Sequence, residues 1–240
     1  MSMALGFLTY KEVWETLEEL WQRRSRCKEG GLVEKVWLGE MEYRQALEIQ
    51  LDHVERRARG KIPDTLLLVI HPHVYTLGRG GHESNLLVSS DLLRKEGIPV
   101  ERVSRGGDIT YHGPGQLVGY PIVLLAQPDV HRYVRALESV LIDAIGRFGV
   151  PGRSVSGLTG VWTGEKKIAS IGIAIRRRVT YHGFALNVNT DLSYFRRIHL
   201  CGLKGKKPTS MSEFLGKPVA MEPIRDAIGE ECWRQLGGLA

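Results

Sequence analysis

The chain contains 240 residues, of which 42% are hydrophobic and 25% are charged, and it carries a formal net charge of +6. This balance is typical of a globular protein with at least one sizeable core, and no apolar run approaches the ~20 residues that a membrane span requires. Three cysteines without regular spacing do not form a disulfide framework, and an N-terminus that contains Glu12 and Glu15 is unlike a secretory or transit signal. We therefore expect a cytoplasmic protein that does not associate with a membrane.

Much of the positive charge is concentrated at positions 176–178 and 204–207. A basic surface can bind nucleic acid, attract an acidic protein, or be an ordinary solvated face. Composition leaves these three interpretations open.

The first predicted element is an amphipathic helix over 7–24, followed by a polar linker that ends at Gly30-Gly31. We therefore expect residues 1–31 to form a helical extension with its linker, and residues 32–240 to form the main domain.

The main domain combines strands and helices in an irregular order. Its first half predicts a strand over 33–37, a helix with Tyr43, Leu47, Leu51 and Val54 on one face, a strand over 65–70 buried on both sides, a strand over 74–77, a short helix to Glu96 capped by Asp91, strands over 100–104, 109–112 and 117–125, and a helix over 130–148. Its second half predicts a hairpin of 160–163 with 167–175, a strand over 179–188, a short helix capped by Asp191, a basic loop over 204–208 and a last helix over 222–236. Because strands are grouped and do not alternate regularly with helices, we expect an α+β fold with a mixed, mostly antiparallel sheet flanked by helices.

The segment 105–116 is the most informative part of the chain, because it places four glycines around a short strand-like run. Glycine lets the backbone approach a ligand closely or adopt a positive φ. This density of glycine between apolar strands predicts a glycine-lined pocket.

Several familiar site motifs are absent from the sequence. There is no Walker P-loop, no dinucleotide fingerprint that opens a helix, no cysteine pair at zinc spacing, no His-Glu-x-x-His and no Gly-x-Ser-x-Gly. We therefore expect neither a metal nor a cofactor.

Cys201, which is followed at once by Gly202, is the candidate nucleophile, whereas Cys27 lies in a polar linker and Cys232 in a predicted helix. A thiol needs a cationic neighbour to become a thiolate at neutral pH, and Lys167 precedes small and apolar residues that would hold its ammonium near the core. From spacing alone, a lone cysteine is more often a small core residue than a nucleophile, and a lysine beside a turn is usually solvated.

Five stretches in chain order closely resemble the motifs of the lipoyl(octanoyl) transferases, and the resemblance covers residues 33–236. These stretches are Tyr-Thr-Leu-Gly-Arg at 75–79, Arg-Gly-Gly-Asp-Ile-Thr-Tyr-His-Gly-Pro-Gly-Gln with its continuation at 105–121, Gly-Val-Trp at 160–162 with Lys-Ile-Ala-Ser-Ile-Gly at 167–172, His-Gly-Phe-Ala-Leu-Asn-Val at 182–188, and Cys-Gly at 201–202 with Thr-Ser-Met at 209–211.

The resemblance implies a fold like the catalytic domains of biotin and lipoate protein ligases. It implies transfer of an octanoyl group from octanoyl-acyl carrier protein to a lysine on lipoyl domains of 2-oxoacid dehydrogenases and the glycine cleavage H protein. Cys201 would form the acyl-enzyme thioester and Lys167 would activate it. By motif match, the substrate contacts would be Arg105, Gly106, Gly107, Asp108, Ile109, Thr110, Tyr111, His112, Ser170, Ile171, Gly172, Gly183, Phe184 and Ala185.

Two other functions compete with this interpretation. An ATP-dependent lipoate or biotin ligase of the same fold would also use a glycine-rich segment such as 105–107, but it has no obligatory cysteine. A nucleic-acid-binding module would use aromatic and basic neighbours such as those at 194–197, and it predicts salt-sensitive binding. Cys201 and Lys167 favour the transferase.

Overall fold

A mixed β-sheet forms the centre of the protein. The computed structural model describes residues 34–199 and 206–239. Within those two ranges the strands are β1 (Glu34–Glu40), β2 (Thr65–Ile70), β3 (Val74–Leu77), β4 (Val100–Arg102), β5 (Ile109–His112), β6 (Gln116–Ile122), β7 (Arg153–Val155), β8 (Leu158–Thr163), β9 (Lys166–Arg176), β10 (Val179–Asn187) and β11 (Lys207–Pro208). The helices are α1 (Tyr43–Ala58), α2 (Ser90–Lys95), α3 (Val130–Gly146), α4 (Met211–Leu215) and α5 (Met221–Leu236), with 3-10 turns at Glu83–Asn85 and Leu192–Arg197.

The large sheet has the strand order β1-β2-β6-β10-β9-β8-β7, with β11 beside β9. Its pairs are antiparallel except for β1 with β2 and β11 with β9, which are parallel. A small sheet of order β4-β3-β5 lies beside it. The expected α+β fold with a mostly antiparallel, mixed sheet is therefore confirmed.

Strand β2 illustrates why this sheet is buried on both faces. Successive side chains of a strand point to opposite faces, so Leu66 and Leu68 pack into the core formed with α3 and α5. Leu67 and Val69 pack into a second core beneath α1. The continuous apolar run at 65–70 thus has the double burial that its composition predicts.

The small sheet has a core of its own. Tyr75 and Leu77 of β3 and Ile109 and Tyr111 of β5 pack against Leu93 of α2 and against the 3-10 turn at Leu192–Arg197. This arrangement fixes β5, and the glycine-rich loop that precedes it, next to the large sheet.

Helix α1 buries two of the four residues of its predicted apolar face, Tyr43 and Val54. Leu47 and Leu51 are half-buried, whereas Ile49, Gln50 and His53 are buried. Gln50 can be buried because its Oε1 accepts a hydrogen bond from the backbone N–H of His182 at 2.9 Å. The spacing of apolar residues could not predict that Gln50 is buried, because its burial depends on a polar contact to β10.

Several boundaries also differ from the predictions. Ser89, not Asp91, caps α2, because its hydroxyl accepts the Leu92 N–H at 3.2 Å. Part of the predicted basic loop, Lys207–Pro208, is a strand, and β7 and α4 were not predicted. Asp191 caps its helix as expected, but the turn is 3-10.

Residues 1–33, 200–205 and 240 lie outside the described residues, and with them the predicted helix at 7–24, Cys27, Cys201 and Gly202. The domain boundary at 31/32 therefore stays a prediction. None of the helices within the described ranges combines the length and apolar character needed to cross a membrane.

Candidate active site

A cavity of about 460 Å³, counted out to its open mouth, lies where the small sheet meets the large one. Its walls belong to α1, β5, β6, β9, β10 and the loop at 105–108. They are formed by Tyr43, Arg105, Gly107, Asp108, Thr110, His112, Val118, Tyr120, Ser170, Ile171, Gly172, His182, Gly183, Phe184 and Ala185. All of these except Tyr43, Val118, Tyr120 and His182 are positions where the family resemblance implies substrate contacts. The structure thus brings three separate motifs to one cavity.

Three of the implied contact residues do not line this cavity. Ile109 and Tyr111 point into the core of the small sheet, because they alternate along β5 with Thr110 and His112, which face the cavity. Gly106 instead anchors the loop to β9, through a 2.9 Å hydrogen bond from its N–H to the carbonyl of Ile173.

Pairing of β9 with β10 aligns the two motifs that these strands carry. Gly183 lies opposite Gly172, Phe184 opposite Ile171, and Ala185 opposite Ser170. The matched register makes the two motifs a single wall of the cavity.

Three backbone hydrogen bonds hold the glycine-rich loop against residues 78–81. The N–H groups of Gly78, Arg79 and Gly80 donate to the carbonyls of Asp108, Arg105 and Gly107 at 3.1, 2.9 and 3.1 Å, and Gly81 closes its own turn by donating to the carbonyl of Gly78. Gly107 has a φ of +82°, a conformation that favours glycine. A Cβ on Gly78 would lie only 2.4 Å from the carbonyl oxygen of Gly107, so the close approach of the two loops requires glycine there.

The side chain of Arg105 ties the loop to both sheets. Its Nη2 donates to the carbonyl and the hydroxyl of Thr76 on β3, at 2.6 and 2.8 Å. On the other side, a Cβ on Gly172 would lie 2.9 Å from Cδ of Arg105, so the glycine leaves room for the arginine stem. Arg105 is 8% exposed and brings a positive charge to the cavity wall.

Three buried histidines surround the polar side of the cavity. Burial lowers the pKa of His71 to about 4 and the pKa of His112 and His182 to about 3, and the charge of Arg105 adds to the effect at the latter two. All three are therefore neutral at pH 7. Among the described residues, no group of three possible metal ligands could hold a metal ion.

Hydrogen bonds fix the orientation of these rings. His71 joins the Met41 carbonyl and the Tyr120 hydroxyl, both at 2.7 Å, while Nδ1 of His112 lies 2.8 Å from Oε1 of Gln116. Nε2 of His182 lies 3.0 Å from the hydroxyl of Ser104. The charged side chains of the cavity wall are therefore those of Arg105 and Asp108, and the histidine rings beside them are neutral.

Lys167 lies on β9, three residues before Ser170, which places its Cα about 10 Å along the strand from the cavity wall. Its side chain is 4% exposed, and its Nζ lies 5.7 Å from the centroid of the Trp162 ring. The carbonyl of Lys167 accepts the Thr209 N–H at 2.9 Å. Lys167 is thus a buried lysine on the strand that also carries Ser170, Ile171 and Gly172 of the cavity wall, and its role stays a prediction.

Cys201 lies outside the described residues, but the residues on both sides of that segment are described. On one side, the His199 N–H donates to the carbonyl of Asn85 at 2.8 Å, and Nδ2 of Asn85 donates to the carboxylate of Asp108 in the cavity wall. On the other, Nζ of Lys206 lies 5.7 Å from the centroid of the Trp162 ring. The chain therefore leaves the described region beside the glycine-rich loop and re-enters it beside Trp162.

This fold and cavity define a class of protein-modifying enzyme domains. The family described as "Lipoyl protein ligase A/B catalytic domain" matches residues 42–233. A solved lipoate-protein ligase A bound with ATP aligns with a TM-score of 0.70 at 19% identity, covering 85% of this chain and 85% of that chain. A bi-partite lipoate protein ligase from Thermoplasma acidophilum gives a TM-score of 0.69 at 20% identity, over 85% of this chain and 84% of that one. At such identities the structures show a shared fold.

Sequence relatives identify the branch of this class. The octanoyltransferase of Solibacter usitatus is 51% identical over 201 residues, covering 83% of this chain and 89% of that protein. The octanoyltransferase of Syntrophotalea carbinolica is 52% identical over 193 residues, covering 80% and 88%. The chain belongs to the octanoyltransferase family, within the lipoyl protein ligase A/B catalytic-domain family, and is an acyltransferase.

The substrate contacts that the family resemblance implies do not include four of the cavity residues, Tyr43, Val118, Tyr120 and His182. Val118 and Tyr120 lie two apart on β6, so strand alternation could have identified them once one was placed. Tyr43 belongs to no motif in the sequence. Its position depends on how α1 packs across β6 and β10.

Proposed function

We propose that this protein transfers an octanoyl group from octanoyl-acyl carrier protein to a lysine of lipoyl domains, by way of a thioester on Cys201. The observation that carries the proposal is the convergence of 105–112, 170–172 and 183–185 on one cavity in a chain of the octanoyltransferase family.

The cavity offers an apolar wall suited to the acyl chain. Its apolar lining consists of Val118 and Ala185, which pair between β6 and β10, and of Ile171 and Phe184, which pair between β9 and β10. The hydroxyl of Thr110 also faces it, and it has no hydrogen-bond partner among the described residues. We place the hydrocarbon chain against the aliphatic and aromatic wall, with its carbonyl toward the Lys167 end of β9.

The chemistry follows from the thiol and the lysine amine. In the first step the Cys201 thiol passes its proton to the amine of Lys167, which becomes an ammonium group, and the sulfur attacks the acyl carbonyl of the donor thioester. The pantetheine thiolate leaves and receives the proton from Lys167, so one thioester replaces another. In the second step the lysine amine of the acceptor attacks the new thioester, an amide forms, and the Cys201 thiol is regenerated.

This two-step route lets two protein substrates use one cavity in turn. We propose octanoyl-acyl carrier protein as the donor, and the lipoyl domains of 2-oxoacid dehydrogenases and the glycine cleavage H protein as acceptors. We place the reaction in the cytoplasm, because irregularly spaced cysteines, including the buried free thiol of Cys232, fit a reducing compartment.

Intact-mass spectrometry tests the covalent route. After incubation with octanoyl-acyl carrier protein without ATP, the protein should gain the mass of one octanoyl group, and hydroxylamine should remove it. Cys201→Ala should gain no mass and should lose octanoyl transfer, whereas Cys232→Ala, at a buried position away from the cavity, should still be acylated. Acylation of Cys201→Ala would refute the thioester, and transfer that requires ATP would assign the chain to the ligases instead.

A further inference from the structure

Gly160 on β8 lies directly against the side chain of Lys167. A Cβ built on Gly160 would lie 2.6 Å from Cε and 3.2 Å from Nζ of Lys167, and 2.5 Å from the carbonyl oxygen of Ala169. Contacts below 3 Å are shorter than van der Waals separation allows. The Lys167 ammonium group therefore occupies space that exists because residue 160 has no side chain.

The backbone of Gly160 is itself held in an unusual conformation. Its φ is +117°, outside the regions that residues with a Cβ readily adopt. Its N–H donates a 2.9 Å hydrogen bond to Oε1 of Glu138, which projects from α3.

Glu138 is buried to an extent that is rare for a carboxylate. It is 1% exposed, and Arg135, half-exposed on the same helix, binds its other oxygen at 2.5 Å. Through Gly160, Oε1 of Glu138 lies no more than about 9 Å from Nζ of Lys167. A buried carboxylate is costly unless its hydrogen bonds are satisfied, and here one of them fixes the residue that packs on the lysine.

We propose that Glu138 and Gly160 are positioning residues for Lys167: the carboxylate fixes the backbone of Gly160, and the bare Cα of Gly160 sets where the ammonium group lies. This inference rests on the proton-transfer role proposed above for Lys167. Neither residue touches substrate. Both act through the lysine.

A double-mutant cycle tests the link between Gly160 and Lys167. Gly160→Ala should lower the single-turnover rate of Cys201 acylation by about 10²-fold, because a displacement of about 1 Å in a catalytic group has that effect. In a Lys167→Ala background the same change should have little further effect, since the group through which it acts is gone. An equal loss in both backgrounds would overturn the proposal.

Gly157→Ala is the matched control for backbone strain. Gly157 lies in the turn between β7 and β8 with a φ of +76°, and a Cβ there would meet nothing within 4 Å. Gly157→Ala should lower the unfolding midpoint, because alanine is strained at this φ. Acylation should continue at the wild-type rate. An acylation loss in Gly157→Ala as large as in Gly160→Ala would show that strain, not the lysine contact, is responsible.

Glu138 provides a second test if Gly160→Ala does not fold. Glu138→Ala should slow acylation about tenfold, and Glu138→Gln should recover most of that rate, because its amide oxygen can still accept the Gly160 N–H. A folded Glu138→Ala protein that acylates at the wild-type rate would refute the positioning role. Full activity of Lys167→Ala itself would instead refute the role proposed for the lysine, so the two failures are distinguishable.

Discussion

Phe184 occupies the space that a side chain at position 119 would fill. A Cβ on Gly119 would lie 2.1 Å from Cζ of Phe184, so the phenyl ring lies flat over the neighbouring strand, next to the cavity. Ala185, the next residue of β10, also faces the cavity and pairs with Val118 across β6. The width of the proposed acyl slot is therefore set by single side chains.

Replacement of Ala185 by leucine tests that slot. Leucine would extend into the cavity, so we expect acylation by octanoyl-acyl carrier protein to fall at least tenfold, while acylation by a butanoyl donor falls much less. Intact-mass kinetics measures the ratio of the acylation rates with the two donors. Equal losses with both donors would mean that the wall does not contact the distal part of the acyl chain.

An unchanged unfolding midpoint is the control that excludes general damage to the core.

At the scale of single residues, the sequence could identify most of the cavity but not all of it. The motifs point to segments, whereas the orientation of each side chain depends on strand alternation, and this is why Ile109 and Tyr111 face the small core. Tyr43 could not be found because its place depends on tertiary packing. The expectation for Cys201 stays a prediction.

Among the elements, the turn of the β9–β10 hairpin carries the basic cluster at 176–178, whose charges make contacts within the protein. Arg177 and Arg178 form its turn with φ values of 53° and 66°. Arg176 and Arg177 pair with Glu55 on α1, and the Arg178 guanidinium donates to the carbonyls of Leu125 and Ala126. Because this cluster has intramolecular partners, we do not place the acyl carrier protein there.

The same turn gives a prediction on stability. A left-handed conformation costs a residue with a Cβ roughly 1 kcal/mol or more, whereas a surface ion pair contributes about 0.2–1 kcal/mol. Arg177→Asn, which tolerates the conformation and loses the pair to Glu55, should leave the free energy of unfolding unchanged or raise it by up to ~1 kcal/mol. Arg176→Asn loses a pair without relieving strain and should not be stabilising. Urea denaturation measures both, and a clear loss in Arg177→Asn would show that the ion pair outweighs the strain.

For long elements with a strong hydrophobic pattern, the sequence-based predictions agree with the structure. The double burial of β2 and the hairpin of β8 with β9 are properties of local composition, as expected. Short elements did not follow it: β7 and β11 exist because neighbouring strands supply their partners, and the five-residue helix α4 is capped by Ser210. The predicted face of α1 was right for Tyr43 and Val54 but missed Gln50 and His53, which are buried through hydrogen bonds that hydropathy does not register.

For the whole molecule, the buried histidines predict sensitivity to mild acid. Burial lowers the pKa of His53 and His71 to about 4 and that of His112 and His182 to about 3, all from 6.5. Below pH 6.5 the unfolded chain therefore binds protons that the folded chain does not. The stabilisation is complete above pH 6.5 and is lost as the pH falls toward 3–4, by up to ~1.4 kcal/mol per pH unit for each histidine.

We expect the urea midpoint to fall steeply between pH 7 and pH 5. His53→Gln, on α1 and outside the cavity wall, should make the dependence of the unfolding free energy on pH shallower by about one proton. An identical slope in this variant would show that the buried rings are not the cause.

The walls of the cavity come from segments that are far apart in the chain, from Tyr43 near the start of α1 to Ala185 near the end of β10. Such non-local contacts form late, because much chain entropy must be lost before they meet. A nascent polypeptide still on the ribosome, with β10 not yet emerged, possesses neither the complete cavity wall nor the Cys201 segment. Under the thioester route proposed above, it therefore cannot divert acyl groups from their carrier before its synthesis is finished.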